Sequence, residues 1–228
     1  MIGKVAVLIP ARQGSKRVVG KNIRMLGRYP LMVWSIMTGL ELGETYVSTD
    51  SVEYGDIAVK YGSKVVYRDA ADDNQGDIEV CAQFIKHVDT DIIVYLRPTT
   101  PFRSINMVKA AIEQFQGSGL RSVELMGESA YKCFEIDGGR LVPIPKFMTG
   151  DMTDWPNHKC PETYHPNGYV DIVRVKHVKD GTLWGPEKQA WVTPRTIEID
   201  TEEDFEYAEY WVQRNPAVRY SFGKKEHV

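Results

Sequence analysis

Four short apolar runs, each opening into a polar loop, constrain this chain more than any other feature. Residues 4–9, 45–48, 64–67 and 91–96 are short and rich in β-branched side chains, as buried strands are. The intervening pattern predicts helices over 31–42, from a cap at Asp50 and Ser51 to about 61, and over 77–87, with Gly43 and Gly62 as stops. Strands that alternate with helices make a mostly parallel sheet covered on both faces, so the expected fold is α/β and doubly wound. Open sheets of this kind hold ligands beyond the carboxyl ends of their strands. The loops at 12–22, 48–51 and 97–103 all follow strands and are expected to meet in one crevice.

The first of these loops carries the chemistry. Pro10 ends the strand, and Gly14 and Gly20 follow with the cations Arg12, Lys16, Arg17 and Lys21. Glycines let backbone N–H groups approach an anion, and Lys and Arg neutralise it, so the stretch reads as a phosphate cradle. Seven cations and no carboxylate precede Glu41, although the chain as a whole has a net charge of −3. A local positive field in an acidic chain suits a focused polyanion site better than a nucleic-acid coat. A solvated basic surface is the bland alternative, and it applies most to Arg17 and Arg24. The P-loop is excluded by spacing: five residues separate Gly14 from Gly20, and Asn22 stands where that motif needs a magnesium-binding hydroxyl.

Further along, 69–77 is an acidic loop, 105–115 a helix and 121–126 a strand. From about 128 to 165 the periodicity dissolves among Gly, Pro and aromatic residues, which reads as an inserted lobe within a single domain. Residues 168–175 return to strand, a polar turn reaches Trp184, and 196–199 is expected as a last short strand. An amphipathic helix over 201–214 turns Phe205, Ala208 and Trp211 or Val212 inward, and the end at 223–228 is expected to fray. In a strand, Glu198 and Asp200 share one face, as a carboxylate pair for a metal must. The competing reading is that acids here favour the start of a helix. Cys81, Cys133 and Cys160 form no Cys-x-x-Cys pair and read as reduced thiols of a cytoplasmic protein. No run approaches the roughly 20 apolar residues that span a membrane.

Residues 9–16 (Ile-Pro-Ala-Arg-Gln-Gly-Ser-Lys) with Gly20-Lys21-Asn22 resemble the signature of the CMP-sialic acid synthetases, the acylneuraminate cytidylyltransferases. The likeness resumes at Ser48-Thr49-Asp50-Ser51, at 96–103 (Leu-Arg-Pro-Thr-Thr-Pro-Phe-Arg), at Pro166-Asn167-Gly168 and at 199–204 (Ile-Asp-Thr-Glu-Glu-Asp). Five blocks in order cover most of the chain.

The resemblance implies a nucleotidyltransferase sheet, Rossmann-like and related to the glycosyltransferase-A type, with a lobe that makes a homodimer. It implies that the anomeric hydroxyl of a keto-acid sugar attacks the α-phosphate of CTP with Mg2+ present, and expels pyrophosphate, for a surface polysaccharide. By the same resemblance Arg12, Lys21 and Asp200 are catalytic. Ala11, Arg12, Gly14, Ser15, Lys16, Lys21, Asn22, Arg68 and Arg97 bind nucleotide, with Lys21 expected as an exposed loop cation. Arg97, Thr99, Lys132, His165 and Asn167 face the sugar, and Asp200 with Glu198 holds the metal. Asp50 is either a helix cap or a nucleotide neighbour, and Arg103 a structural cap of its loop.

The chain departs from the sialic acid enzymes at three places. His165 stands where they commonly have Arg, Asn157-His158-Lys159 replaces an Arg-Gln pair, and Glu198 stands where Asp is frequent. A planar guanidinium's grip on a carboxylate is not reproduced by His or Asn. The expected acceptor is therefore a legionaminic-like, pseudaminic-like or amino-modified octulosonic acid. A metal site at His158, Cys160 and His165 is disfavoured by their irregular spacing. Two rivals remain: a transferase that uses a sugar 1-phosphate, and a non-catalytic nucleotide or sugar binder.

Overall fold

The computed structural model describes residues 3–14, 17–69, 76–144 and 152–215. Ser15, Lys16, most of the acidic loop (70–75) and the expected frayed end lie outside the described residues.

The chain runs β1 (Val5–Pro10), β2 (Met25–Leu26), β3 (Tyr29–Pro30), α1 (Leu31–Leu40), β4 (Thr45–Thr49), α2 (Val52–Lys60), β5 (Lys64–Tyr67), α3 (Asp77–Phe84), β6 (Ile92–Tyr95) and α4 (Ile105–Glu113). It continues with β7 (Gly119–Leu125), β8 (Phe134–Asp137), β9 (Arg140–Pro143), β10 (Tyr164–Arg174), α5 (Val175–Lys179), β11 (Lys188–Val192) and α6 (Glu202–Arg214). Seven strands form one sheet in the order β11-β7-β10-β6-β1-β4-β5. β6, β1, β4 and β5 are parallel, and β10 runs antiparallel between β6 and β7.

The doubly wound, mostly parallel sheet expected from the alternation is present, and side-chain alternation explains its two layers. Val7 and Ile9 of β1 join Met32 and Ile36 of α1, Tyr54 of α2 and Val108 of α4 on one face. Ala6 and Leu8 point the other way, onto Val80 and Phe84 of α3 and Val178 of α5. Because β1 is buried on both faces it reads as a continuous apolar run.

Strand β10 carries a bulge between Pro166 and Asp171. Gly168 sits there with φ +64°, and a Cβ on it would lie 3.0 Å from Thr100 Oγ1 and 3.3 Å from Arg97 Cδ. Side chains satisfy the amides that the bulge frees from the ladder: Tyr169 N–H donates to Asn167 Oδ1 and Val170 N–H to Ser122 Oγ.

A third apolar cluster seats the end of the chain on its beginning. Phe205, Ala208 and Val212 of α6 pack with Val18, Leu26, Leu31, Trp34 and Ile199, all fully or almost fully buried. The Phe102 ring lies between Trp34 and Trp211, with centroids at 5.3 and 4.5 Å. Thr201 and Asp204 close a capping box at the start of α6. Arg24 pairs with Glu202 and lies 4.0 Å over the Phe205 ring, a structural post.

Three expectations are corrected. Residues 196–199 are not a strand, because Thr196 N–H donates to the Glu124 carboxylate and Ile199 N–H to the Thr99 carbonyl. The last strand is instead β11, a half-exposed edge paired parallel to β7. Ser51, and not Asp50, caps α2. Within the lobe the described residues include the β8–β9 hairpin.

Candidate functional site

The sheet order sets β6, β1, β4 and β5 side by side and parallel, so the residues after them, Arg97, Arg12, Asp50 and Arg68, line one end of the sheet. The order reverses beside β1, since the chain winds outward to β5 and then returns to β6, and such a switch point opens a crevice.

Hydrogen bonds fix the basic loop on one side of it. Ala11 N–H donates to the Ser48 carbonyl at 2.9 Å, Gln13 N–H to Asp50 Oδ1 at 2.7 Å, and Asn22 Nδ2 to the Arg12 carbonyl at 3.1 Å. Asp50 is thus a loop anchor. Gly14 has φ +83°, with no heavy atom of the described residues within 4 Å of where a Cβ would stand. Arg68 is half-buried, its Nε has no hydrogen-bond partner among the described residues, and desolvation pulls its pKa down against the field of Asp50.

Lys21 corrects the expectation of an exposed cation. Its side chain is 9% exposed, and Nζ donates to the Ile199 carbonyl at 2.7 Å and to Asp200 Oδ1 at 3.3 Å. Arg17 stands 3.6 Å from Asp200 Oδ2. The cations of the first loop and the carboxylate at 200 therefore share one place, brought there by the packing of α6.

Glu198 lies between the two sides. Its pKa is raised by desolvation and then by the Asp200 charge, with Arg97, His165 and Lys21 opposing. Two like charges in mutual reach form a seat for a cation, and Mg2+ commonly takes one or two carboxylates plus substrate phosphates. Among the described residues no group of three or more His, Cys, Asp and Glu is placed to hold a metal. Glu198 and Asp200 fit an ion whose other ligands come from a triphosphate.

Arg97 is committed inside the protein. Its Nη1 donates to Asp171 and its Nη2 to Asp77, while Tyr95 lies beneath the guanidinium and donates its hydroxyl to Asp77 Oδ1 at 2.8 Å. Burial lowers the Arg97 pKa, and Asp171 and Asp77 more than reverse that. Burial likewise raises the pKa of Asp171, and Arg97 opposes it. Arg97 thus ties the start of α3 to β10 with both terminal nitrogens spent. Arg103 is buried and donates to Ser35 Oγ and to the carbonyls of Tyr169, Arg97 and Gly168, which makes it the brace of the 97–103 loop.

Among the residues expected to face a sugar, Thr99 contributes its carbonyl to Ile199. Asn167 is 1% exposed, and its amide donates to Glu124 Oε2 at 3.1 Å and Thr193 Oγ1 at 2.6 Å, so it shapes the bulge from within. His165 is half-exposed beside it, with Nε2 3.3 Å from Glu124 Oε1. Lys132 lies in the lobe, 3.6 Å from Glu128. Glu124, Asp171 and Asp77 escaped the sequence reading. The available signal was a carboxylate at a buried position of an alternating strand, Glu124 after Leu120 and Ser122, and Asp171 between Val170 and Ile172.

A phosphate-scaled basic loop at a switch point, facing carboxylates, defines a nucleotide-handling α/β enzyme. A family model described as cytidylyltransferase matches residues 6–137. The CMP-N,N'-diacetyllegionaminic acid synthase of Legionella pneumophila is 30% identical, over 93% of this chain and 97% of that one. The N-acylneuraminate cytidylyltransferase of Escherichia coli is 29% identical over 90% of this chain, which spans only 51% of that relative. The pseudaminic acid cytidylyltransferase of Campylobacter jejuni is 27% identical, over 88% and 93% of the two chains. Among solved structures, a CMP-2-keto-3-deoxy-manno-octonic acid synthetase complexed with CTP superposes with a TM-score of 0.71 at 14% identity, covering 93% of this chain and 99% of that one.

The chain belongs to the cytidylyltransferase family, as its sequence blocks led one to expect, and it is a nucleotidyltransferase.

Proposed function

We propose that this enzyme transfers CMP from CTP to the anomeric hydroxyl of a sialic-acid-like keto-acid sugar and releases pyrophosphate. The observation that carries the reading is the meeting of Lys21 with Asp200 beside the Arg12 loop. Cations there neutralise a triphosphate, and the carboxylates would hold the metal ion that balances charge on the reacting phosphate. The anomeric oxygen forms the new bond to the α-phosphorus and gives up its proton to water, the bond from that phosphorus to the bridging oxygen breaks, and the electron pair leaves with pyrophosphate. Lys21, oriented by the Ile199 carbonyl, is the group that steadies phosphate oxygens. Mg2+ held by Asp200 and Glu198 would neutralise charge on the phosphate oxygens.

Support for the acceptor class comes from relatives whose own length this chain nearly fills, named for legionaminic and pseudaminic acids. Pyrophosphate release from CTP against a panel of eight- and nine-carbon keto-acid sugars tests it. Turnover with at least one such sugar is expected; turnover only with UTP or GTP and a sugar 1-phosphate, or none with any pair, ends the proposal.

We further propose a cytoplasmic homodimer that serves surface-polysaccharide synthesis, in which the lobe pairs two copies of a single-domain chain. Support for the pairing comes from the hairpin's exposed Ile136, Leu141 and Phe134, an apolar surface that a monomer leaves in water. Ile136→Asp is expected to halve the particle mass in light scattering, and an unchanged mass removes the hairpin from the interface. Among the described residues no helix is long and apolar enough to cross a membrane.

A further inference from the structure

We infer that Glu124 is the positioning residue of the acceptor side: one buried carboxylate that orients His165 and anchors the segment leading to Glu198. The inference rests on the proposed transfer to a keto-acid sugar, and it adds a residue that takes no part in the phosphate chemistry.

Glu124 is 6% exposed on β7. A carboxylate so buried is tolerated only when its oxygens are paired. Its Oε2 accepts from Asn167 Nδ2 at 3.1 Å and from Thr196 N–H at 3.0 Å, while Oε1 lies 3.3 Å from His165 Nε2. These donors belong to separate stretches: His165 lies just before the bulge of β10 and Asn167 within it, and Thr196 lies two residues before Glu198. The other ring nitrogen, Nδ1, faces the Pro166 carbonyl at 3.1 Å. Each nitrogen of His165 thus faces an acceptor, so the N–H of either neutral tautomer has a partner, which restrains the ring while 48% of its side chain stays exposed. Glu198 lies within electrostatic reach of that ring. Glu124 itself touches no reacting group; it works through His165 and through the Thr196 anchor. Ile199, whose carbonyl takes Lys21, is buried in the separate α6 cluster, so a fault at Glu124 reaches His165 before it reaches the Lys21–Asp200 contact.

Steady-state pyrophosphate release by the full chain tests this with Glu124→Gln, which keeps an acceptor for Thr196 but removes the charge beside His165. The acceptor KM is expected to rise roughly tenfold to a hundredfold, as for loss of one charged hydrogen-bond partner, with the CTP KM within about twofold of the parent. Combined with His165→Asn, it is expected to be no worse than the poorer single variant, because both act through one contact. An unchanged acceptor KM, or both KM values rising together, overturns the inference. Hydrogen exchange reads the anchor without substrate: Glu124→Ala is expected to speed exchange of the Thr196 amide at least about tenfold, and unaltered exchange also overturns it. A parent that turns over CTP with no keto-acid sugar sinks the proposed function instead, and the exchange result then decides the inference alone.

Discussion

Lys21 Nζ stands 2.7 Å from the Ile199 carbonyl and 3.3 Å from Asp200 Oδ1, across 178 and 179 residues of chain. One ammonium thus completes a buried hydrogen bond and opposes a carboxylate. Lys21→Met keeps the stem and loses both. Turnover is expected to fall at least about a hundredfold, the loss typical of one donor to a developing charge. Urea unfolding is expected to show a cost of roughly 1–3 kcal/mol for the orphaned carbonyl. A variant with near-parental kcat takes Lys21 out of the reaction.

Asp200→Asn leaves the Thr201–Asp204 capping box intact, so α6 keeps its start. The magnesium concentration for half-maximal rate is expected to rise at least about tenfold, because a neutral amide is a poor ligand for a hard cation. A superimposable magnesium titration restricts Asp200 to pairing with Lys21.

Glu198 is strained electrostatically in the folded chain. Desolvation and Asp200 hold its pKa above the ordinary 4.5, so the folded state binds more protons than the unfolded one as pH rises from that value. Stability therefore falls through that window, and the penalty persists at neutral pH. Glu198→Gln is expected to raise the melting temperature at pH 7 by on the order of one or two degrees, since the group is exposed and screened. At pH 4 the difference is expected to vanish. A variant that melts lower at pH 7 would falsify this account.

Arg97→Met strands Asp171, whose side chain is 2% exposed. Breaking one partner of a buried pair is expected to cost about 3–5 kcal/mol, to be read by chemical unfolding. Adding Asp171→Leu is expected to restore part of it. A stable Arg97→Met with a large rise in acceptor KM would return Arg97 to sugar recognition.

The sheet was legible because strands buried on both faces leave uninterrupted apolar runs, as at 91–96. The edge strand β11 was not, because Lys188 faces solvent and Gln189 gives its amide to the backbone of 114–117, so both polar residues break the pattern. At 196–199 the apolar alternation was real, but the amides go to Glu124 and Thr99 and not to a neighbouring strand, which no local pattern reveals. The basic loop and the acids near 200 were both visible as separate motifs. Their meeting depends on Phe205, Ala208 and Val212 finding Val18, Leu26 and Trp34, a match between surfaces far apart in sequence. For the same reason Lys21 looked exposed: what buries it is the last helix.

That late docking has a consequence during synthesis. The last strand of the sheet ends at Val192, yet the half-site that faces the basic loop is made only after it. A nascent molecule already owns its anion cradle but lacks the counterpart needed to act on what settles there. Replacing Phe205 by Ala, at about 3–5 kcal/mol, would prolong that unfinished stage into the mature protein.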